Sequence, residues 1–257
     1  MTLAQRVTVL ACAVFVLAAA AAHADRRYFV QSYTPYLATA GNLELEVWAN
    51  AAHGQGDSSG TAWENRAEFE YAINDRLTGS FYLNYVQSDG GAQRFDGPSL
   101  ELIYALGERG AIPLDPAVYL EARENGSELE LEPKLLLAQR AGSWLAVANL
   151  IGEFETFHSG PEQGEWEKAL ELTTGVTHEW GTKLALGLEA KYVRELADEA
   201  GNPSALFLGP TLNLQTTKLQ LALGWQPQIW GDPDTHGGRN VLDFPRSEVR
   251  VILGIGL

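Results

Sequence analysis

The segment Glu248-Val249-Arg250-Val251-Ile252-Leu253-Gly254-Ile255-Gly256-Leu257 alternates between two kinds of side chain. Positions 249, 251, 253, 255 and 257 are aliphatic, whereas positions 248 and 250 are charged and positions 254 and 256 are glycine. A period of two is that of a β-strand with one apolar face. Such a strand at the C-terminus suits a closed barrel of the bacterial outer membrane, in which the last strand must pair with the first.

The same alternation recurs along the chain and predicts further strands. Many of these runs are longer than the roughly 5–6 residues usual in soluble sheets and fit tilted membrane strands of about 9–11 residues with some overhang. The sequence therefore predicts an all-β fold, a single antiparallel up-and-down transmembrane β-barrel of about 12 strands over residues 42–257. The predicted strands are Asn42–Ala52, Ala62–Ile73, Leu77–Gln87, Pro98–Gly107, Ala117–Glu124, Ser127–Ala138, Ser143–Glu155, Trp166–Trp180, Lys183–Arg194, Ser204–Leu214, Lys218–Gln228 and the C-terminal run.

The predicted connections also alternate in length. Short turns follow strands two, eight and ten, whereas long loops rich in Gly, Pro and Asp follow strands one, three, seven, nine and eleven. Outer-membrane barrels have short periplasmic turns and long outer loops, so both termini are expected on the periplasmic side. Two connections depart from this rule, because residues 108–115 form a long connection and Asn125-Gly126 a minimal one.

The N-terminus resembles a secretory signal peptide. Residues 1–24 carry one basic residue, Arg6, then an apolar run and the small-x-small sequence Ala22-His23-Ala24. We expect this segment to be cleaved after Sec-type export; an uncleaved membrane anchor is the alternative. The chain's single cysteine, Cys12, lies within it, so no disulfide is expected in the mature protein. Residues 25–41, before the barrel, are predicted to form either a periplasmic segment or a plug.

The charge of the chain limits its partners. It has 33 acidic and 18 basic residues in 257, a formal net charge of −15 at pH 7. A nucleic-acid partner is not expected, because such proteins carry a basic surface. The expected partners are outer-membrane lipid, the barrel-assembly machinery through the C-terminal strand, and an unidentified small solute.

The charged face of the predicted strands is expected to line the lumen. A basic residue facing lipid at mid-depth costs about 2–4 kcal/mol, so the aliphatic face must be the outer one. The predicted acidic lining is Glu44, Glu46, Glu68, Glu70, Glu101, Glu121, Glu128, Glu130, Glu132, Glu171 and Glu189, and the basic lining is Arg66, Arg123, Lys134, Lys191 and Arg250. Aromatic residues at run ends, expected as an interfacial girdle, are Trp63, Tyr85, Tyr104, Trp144, Trp166, Trp180 and Trp225.

Four blocks of the sequence carry a resemblance to a known family. They are Tyr28–Gly41 followed by Leu43–Trp48, then Asn65–Leu77, Ala117–Glu121 and Glu130–Leu137. Together they resemble a family of uncharacterised bacterial outer-membrane barrels of about twelve strands, porin- or transporter-like. The resemblance implies the fold and an outer-membrane location, and it implies no substrate or catalytic residue.

Catalytic and metal-binding chemistry has weak support in the sequence. The histidines His53, His158 and His236 fall in predicted loops and His178 at a strand end, and no Gly-x-Ser-x-Gly motif is present. We therefore predict no enzyme activity, no catalytic residue and no cofactor. Asp232, Asp234 and His236 are weak metal candidates, since such residues are also common in turns.

These observations predict a passive channel or transporter in the bacterial outer membrane. The excess of lumen carboxylates would favour small cationic or neutral solutes. Two alternatives stay open: a structural or interaction barrel with an occluded lumen, and a membrane-embedded lipid-modifying enzyme. A barrel of about twelve strands lies between small filled barrels and open porins, so its width does not decide between an open and a blocked lumen.

Overall fold

A computed structural model describes residues 26–56, 58–161, 163–196 and 201–257, and the predicted signal peptide lies outside these residues. Their strands are β1 Leu43–His53, β2 Thr61–Asn74, β3 Leu77–Gln87, β4 Arg94–Ala105, β5 Ala117–Glu124, β6 Glu128–Ala141, β7 Trp144–Phe157, β8 Trp166–Trp180, β9 Leu184–Glu195, β10 Ser204–Gln215, β11 Leu219–Asp232 and β12 Ser247–Gly256. In this part of the chain no helix is long and apolar enough to cross a membrane.

The strands form a closed barrel in which each pairs antiparallel with its sequence neighbours. The closure is made by β1 and β12, where Leu45 lies opposite Ile255 and Asn50 opposite Arg250. The predicted fold class is confirmed, and the C-terminal run forms the closing strand.

Strand β4 begins earlier than the alternation predicts, at Arg94 instead of Pro98. Gly97 takes a positive φ of 88°, and the pairing of β4 with β3 shifts between Leu83 and Tyr85. This irregularity interrupts the alternation, but the chain continues as a strand on its far side. Strands β3, β5 and β8 have the predicted bounds.

The two faces of the barrel wall differ as the sequence predicts. Aliphatic side chains face outward in the middle of the strands, where Leu100 is 64% and Leu150 57% exposed. Of the predicted girdle residues, Trp63, Tyr104, Trp144, Trp166, Trp180 and Trp225 are exposed and Tyr85 is half-buried. An apolar band between aromatic residues is the surface that a bilayer requires.

The two ends of the barrel are named here by their connections. The short-turn end carries the turns after β2, β6, β8 and β10, together with the longer connection 106–116 after β4. The loop end carries the remaining connections, of which that between β11 and β12 is long and folds inward. In this loop Phe244 is buried against Val193, Ala205 and Phe207 of the inner wall.

Candidate functional site: a plugged lumen below an acidic vestibule

Most of the described chain before β1 lies inside the barrel. Residues 26–38, called the plug below, start at the short-turn end, where Arg26 pairs with Glu179. The plug runs toward the loop end as far as Gln31, whose side-chain amide donates to Glu248, and then turns back toward the short-turn end. On the way out, the Tyr36 hydroxyl donates to Asp115 of the connection 106–116. The plug is thus a re-entrant loop that fills the part of the lumen nearest the short-turn end.

The top of the plug is held by one buried carboxylate. Glu189 of β9 accepts the backbone N–H groups of Val30 at 3.2 Å, Gln31 at 3.1 Å and Ser32 at 2.6 Å. It also accepts the amide of Gln226 at 3.0 Å. Three successive backbone donors around one anion form an anion-binding concavity, and here the anion belongs to the barrel wall.

Wall amides hold the two limbs of the plug. Asn149 of β7 accepts the backbone N–H of Tyr33 at 2.6 Å and donates to its carbonyl at 3.0 Å. On the other limb, Asn213 donates to the carbonyl of Arg27 at 2.8 Å, and Gln220 accepts its N–H at 2.6 Å. The backbone of the plug therefore has side-chain partners in place of a neighbouring strand, as buried polar groups require.

Apolar side chains of the plug fit places where the wall has glycine. Phe29 is 1% exposed, and its ring occupies the space that a Cβ atom on Gly175 would need. Val30 is 3% exposed and lies against Gly224 in the same way. Phe29 packs in a cluster with residues 28, 138, 145, 147 and 185, so the hydrophobic core of this barrel lies around the plug.

The guanidinium of Arg27 lies between wall carboxylates and aromatic rings. Its Nη2 is 3.0 Å from Glu46 Oε2 and 3.6 Å from Glu68 Oε2. Its carbon Cζ is 4.3 Å from the ring centroid of Tyr33 and 4.6 Å from that of Trp48. Two carboxylates and two aromatic faces form a complete site for a planar cation.

The lower limb of the plug meets the short-turn end. Tyr36 donates to Asp115 Oδ2 at 2.9 Å, and the Ala40 N–H donates to Asp75 at 3.0 Å. Burial raises the pKa of Tyr36, and the hydrogen bond to Asp115 raises it further, so the hydroxyl stays a donor at neutral pH. Gly41, with a φ of 86°, then turns the chain into β1.

Above the plug lies a polar cavity of about 380 Å³, called the vestibule below, with Gln31 and Tyr33 among its lining residues. Eight carboxylates and five cations line it: Glu64, Asp96, Glu130, Glu132, Glu153, Glu155, Glu171 and Glu248, with Arg66, Arg123, Lys134, Lys191 and Arg250. A separate cavity lined by Pro35 and Tyr36 lies at the short-turn end. The plug thus lies between the two cavities.

The vestibule cations are already engaged. Lys191 pairs with Glu248 at 2.8 Å and Lys134 with Glu132 at 2.6 Å. Arg66 pairs with Glu121 at 3.3 Å, Arg123 contacts Asp96, Glu128 and Glu130, and Arg250 donates to the carbonyl of Val30. Within the described residues these ion pairs do not include Glu153, Glu155 or Glu171, so acidic side chains outnumber basic ones around the vestibule.

The structure places the predicted lumen residues in two groups. Buried members are Glu44, Glu46, Glu68, Glu101, Glu121, Glu189 and Lys134, and partly exposed members are Glu70, Glu128, Glu130, Glu132, Glu171, Arg66, Arg123, Lys191 and Arg250. Several buried carboxylates bind the plug or other wall side chains. For example, Glu101 accepts the hydroxyls of Ser80 and Tyr82.

The weak metal candidates lie at the end of β11 and in the loop that follows it. Asp232 ends β11, whereas Asp234 and His236 are exposed. In the described chain, the acidic groups whose ligand atoms approach within 4.8 Å of one another are instead Glu68, Glu70 and Glu101, and Glu128, Glu130 and Glu155.

The histidines lie in different parts of the barrel. His178 packs between Trp144 and Trp180 at the short-turn end, with ring centroids 4.7 and 4.5 Å away. His158 lies 3.4 Å from Glu124 at the loop end.

Three wall amides that bind the backbone of the plug were not predicted from the sequence. Asn149, Asn213 and Gln220 each interrupt an apolar run, in Ala148-Asn149-Leu150, Leu212-Asn213-Leu214 and Leu219-Gln220-Leu221. A buried amide needs a partner, so an inward-facing amide in such a run indicates that a polar group comes close to it. This signal could have identified all three.

Comparison with known proteins agrees with the fold. Residues 131–257 match DUF6662, a family of unknown function. The match covers the C-terminal part of the chain, just under half of it. No curated protein matches the chain in sequence.

Solved outer-membrane channels share the architecture. The NanC porin is 12% identical with a TM-score of 0.56, covering 83% of this chain and 100% of its own. The COG4313 outer membrane channel from Pseudomonas putida F1 is 12% identical with a TM-score of 0.58, covering 87% and 98%. The KdgM porin in complex with disordered oligogalacturonate is 8% identical with a TM-score of 0.56, covering 83% and 99%. The predicted resemblance to outer-membrane barrels is thereby confirmed at the level of fold.

Proposed function

We propose that this protein is a passive channel of the bacterial outer membrane for small cationic or neutral solutes, and that the plug closes it. The short-turn end faces the periplasm, as in barrels of this architecture. The vestibule opens toward the loop end and admits solute from outside. Displacement of the plug toward the periplasm then joins the vestibule to the other side.

The observation that carries the proposal is the charge of the vestibule. Eight carboxylates and five cations line a cavity of about 380 Å³, and Glu153, Glu155 and Glu171 lie outside its described ion pairs. A ring of carboxylates along a water-filled path favours cations and repels anions. The KdgM porin, of similar fold, has a structure in complex with disordered oligogalacturonate, an acidic saccharide. The acidic vestibule here favours solutes of the opposite charge.

The attachment of the plug is compatible with movement. Its polar contacts with the wall are hydrogen bonds and ion pairs of single side chains. Its exit from the barrel passes through the exposed residues Thr39 and Ala40 and the positive-φ Gly41, where the backbone can turn without losing buried contacts.

A second candidate, an interaction barrel with a permanently blocked lumen, is favoured by the apolar packing of the plug. Phe29 and Val30 are buried as completely as core residues usually are. Burial of two such side chains stabilises the closed form by about 3–6 kcal/mol. In the channel the plug leaves the lumen at times, whereas in the blocked barrel it never does.

A reversible covalent lock on the plug tests the proposal. A Cβ atom on Gly224 would lie 3.4 Å from the Cβ of Val30, close to the roughly 3.5–4.5 Å typical of disulfides. Cys12, the chain's single cysteine, lies in the predicted signal peptide, so the mature Val30→Cys/Gly224→Cys protein has no competing thiol. We expect cation-selective conductance in planar bilayers for the wild type, none for the oxidised variant, and its return on reduction.

The matched control is Val30→Ser/Gly224→Ser, which has similar volume and cannot crosslink. It should conduct with and without reductant. Absence of conductance in the folded wild type, the reduced variant and this control would retire the channel and leave the blocked barrel. Unchanged conductance in the fully oxidised variant would show that the plug is not the gate.

A further inference from the structure

The site around Arg27 is built mainly by the barrel wall. Glu46 and Trp48 belong to β1 and Glu68 to β2, and Glu46 lies opposite Glu68 in the pairing of these strands. The plug contributes the ring of Tyr33 and the guanidinium itself. If the plug leaves, both carboxylates and the Trp48 ring stay in place.

The key carboxylate is oriented without help from the plug. Glu46 Oε2 accepts the indole N–H of Trp48 at 2.9 Å, and Oε1 accepts the Gln220 amide at 2.6 Å. These contacts hold the carboxylate beside the indole face against which Arg27 stacks. A site whose ligands are fixed in advance loses less entropy when a ligand binds.

The second carboxylate needs a cation. Glu68 is fully buried, and neither of its oxygens has a hydrogen-bond partner within the described chain. Its ion-pair partner is Arg27, at 3.6 Å. A buried carboxylate deprived of its cation is strongly unfavourable, so the site must take up another cation, a proton or water when Arg27 departs.

We propose that this wall site binds small guanidinium compounds, and that Arg27 occupies it as a tethered competitor while the channel is closed. The planar guanidinium fits a flat slot between an indole face and two carboxylates better than a compact ammonium does. The site lies beneath the vestibule, which Trp48 also lines, so a cation crossing the lumen passes it. This assignment rests on the proposed channel and specifies its solute class.

Chemical rescue tests the assignment on the full-length mature protein in detergent. The variant Arg27→Ala leaves the wall intact and removes the tethered cation. We expect its thermal midpoint to fall and its plug to become open to trypsin. Methylguanidinium at about 10 mM should restore at least half of the lost midpoint, because a ligand that binds only the folded state stabilises it. Potassium chloride of equal ionic strength should not. If the variant folds poorly, its refolding yield with and without methylguanidinium gives the same comparison.

Two controls make the outcome specific. Arg26→Ala should show no rescue, because Glu179 keeps its contact with Arg140. In Arg27→Ala/Glu46→Gln/Glu68→Gln the site loses both carboxylates that contact Arg27, and rescue should disappear. No rescue of Arg27→Ala, or equal rescue of the triple variant, overturns the site. The rescue assay does not measure conduction. Rescue can therefore be absent while the redox-dependent conductance is observed, and conductance can be absent while rescue is observed.

Discussion

Inward-facing glutamates line both the plug-filled part of the lumen and the vestibule, but they differ in exposure and in hydrogen bonding. Glu189 of β9 is 1% exposed and accepts four hydrogen bonds, three of them from the plug backbone. Glu171 of the adjacent strand β8 is half-buried and lines the open cavity. Both are inward glutamates in alternating strands. What separates them is whether the plug reaches them, so an inward carboxylate is either bound to the plug or exposed to the open cavity.

The largest expected effect comes from removing the carboxylate that binds the top of the plug. Glu189→Ala leaves the N–H groups of Val30, Gln31 and Ser32 without an acceptor, and each unsatisfied buried donor costs roughly 1–3 kcal/mol. We expect a loss of at least about 3 kcal/mol in urea unfolding in detergent. We also expect trypsin to cleave after Arg27 in this variant and not in the wild type.

The matched variant in the vestibule is Glu155→Ala. It removes the same group from a partly exposed position, so its stability should stay within about 0.5 kcal/mol of the wild type and Arg27 should stay protected. Equal losses in the two variants would contradict the division of the lumen into two parts.

Much of the barrel could be predicted because each strand carries its own signal. Inward and outward residues alternate within about ten positions, so Leu77–Gln87, Ala117–Glu124 and Trp166–Trp180 have the predicted bounds. The bounds of β4 were wrong because Gly97 and a shifted register interrupt the period locally. Of the vestibule carboxylates, the alternation predicted Glu130, Glu132 and Glu171 as lumen residues, whereas Asp96, Glu153 and Glu155 were not predicted.

The contacts that hold the plug cannot be predicted from the local period of a strand, although an inward amide in an apolar run indicates that a polar partner lies near it. The backbone bonds of the plug go to Asn149, Glu189, Asn213 and Gln220, all more than 100 positions away in sequence. The plug itself has no period, because it pairs with side chains and not with a strand. Nothing local distinguishes Glu189 from Glu171; their difference arises only when the barrel closes around the plug.

A second expected effect concerns the fit of the plug to the wall. A Cβ atom on Gly175 would overlap the ring of Phe29, whereas one on Gly79, on the outer face of β3, would meet Ile73 and Leu102 at 3.4 Å. Gly175→Ala should therefore cost about 1–3 kcal/mol through overpacking and should increase the frequency of channel opening. Gly79→Ala makes the same change where space is adequate, and it should be neutral within about 0.5 kcal/mol and leave conductance unchanged. Similar behaviour of the two variants would mean that the plug does not pack tightly against β8.

The smallest expected effect is on ion preference. Glu171→Gln removes one of the vestibule charges outside the described ion pairs without changing the shape of the side chain. The potential in the cavity becomes less negative, so the permeability ratio of potassium over chloride should fall by about two-fold, read as a shift of the reversal potential in a salt gradient. Stability and the resistance of the plug to trypsin should not change, because Glu171 makes none of the described plug contacts.

The matched control is Glu165→Gln, on an exposed loop. It makes the same change in charge outside the vestibule and should leave the permeability ratio unchanged. A ratio insensitive to Glu171 but sensitive to Glu165 would place the selectivity filter at the outer rim and not within the lumen.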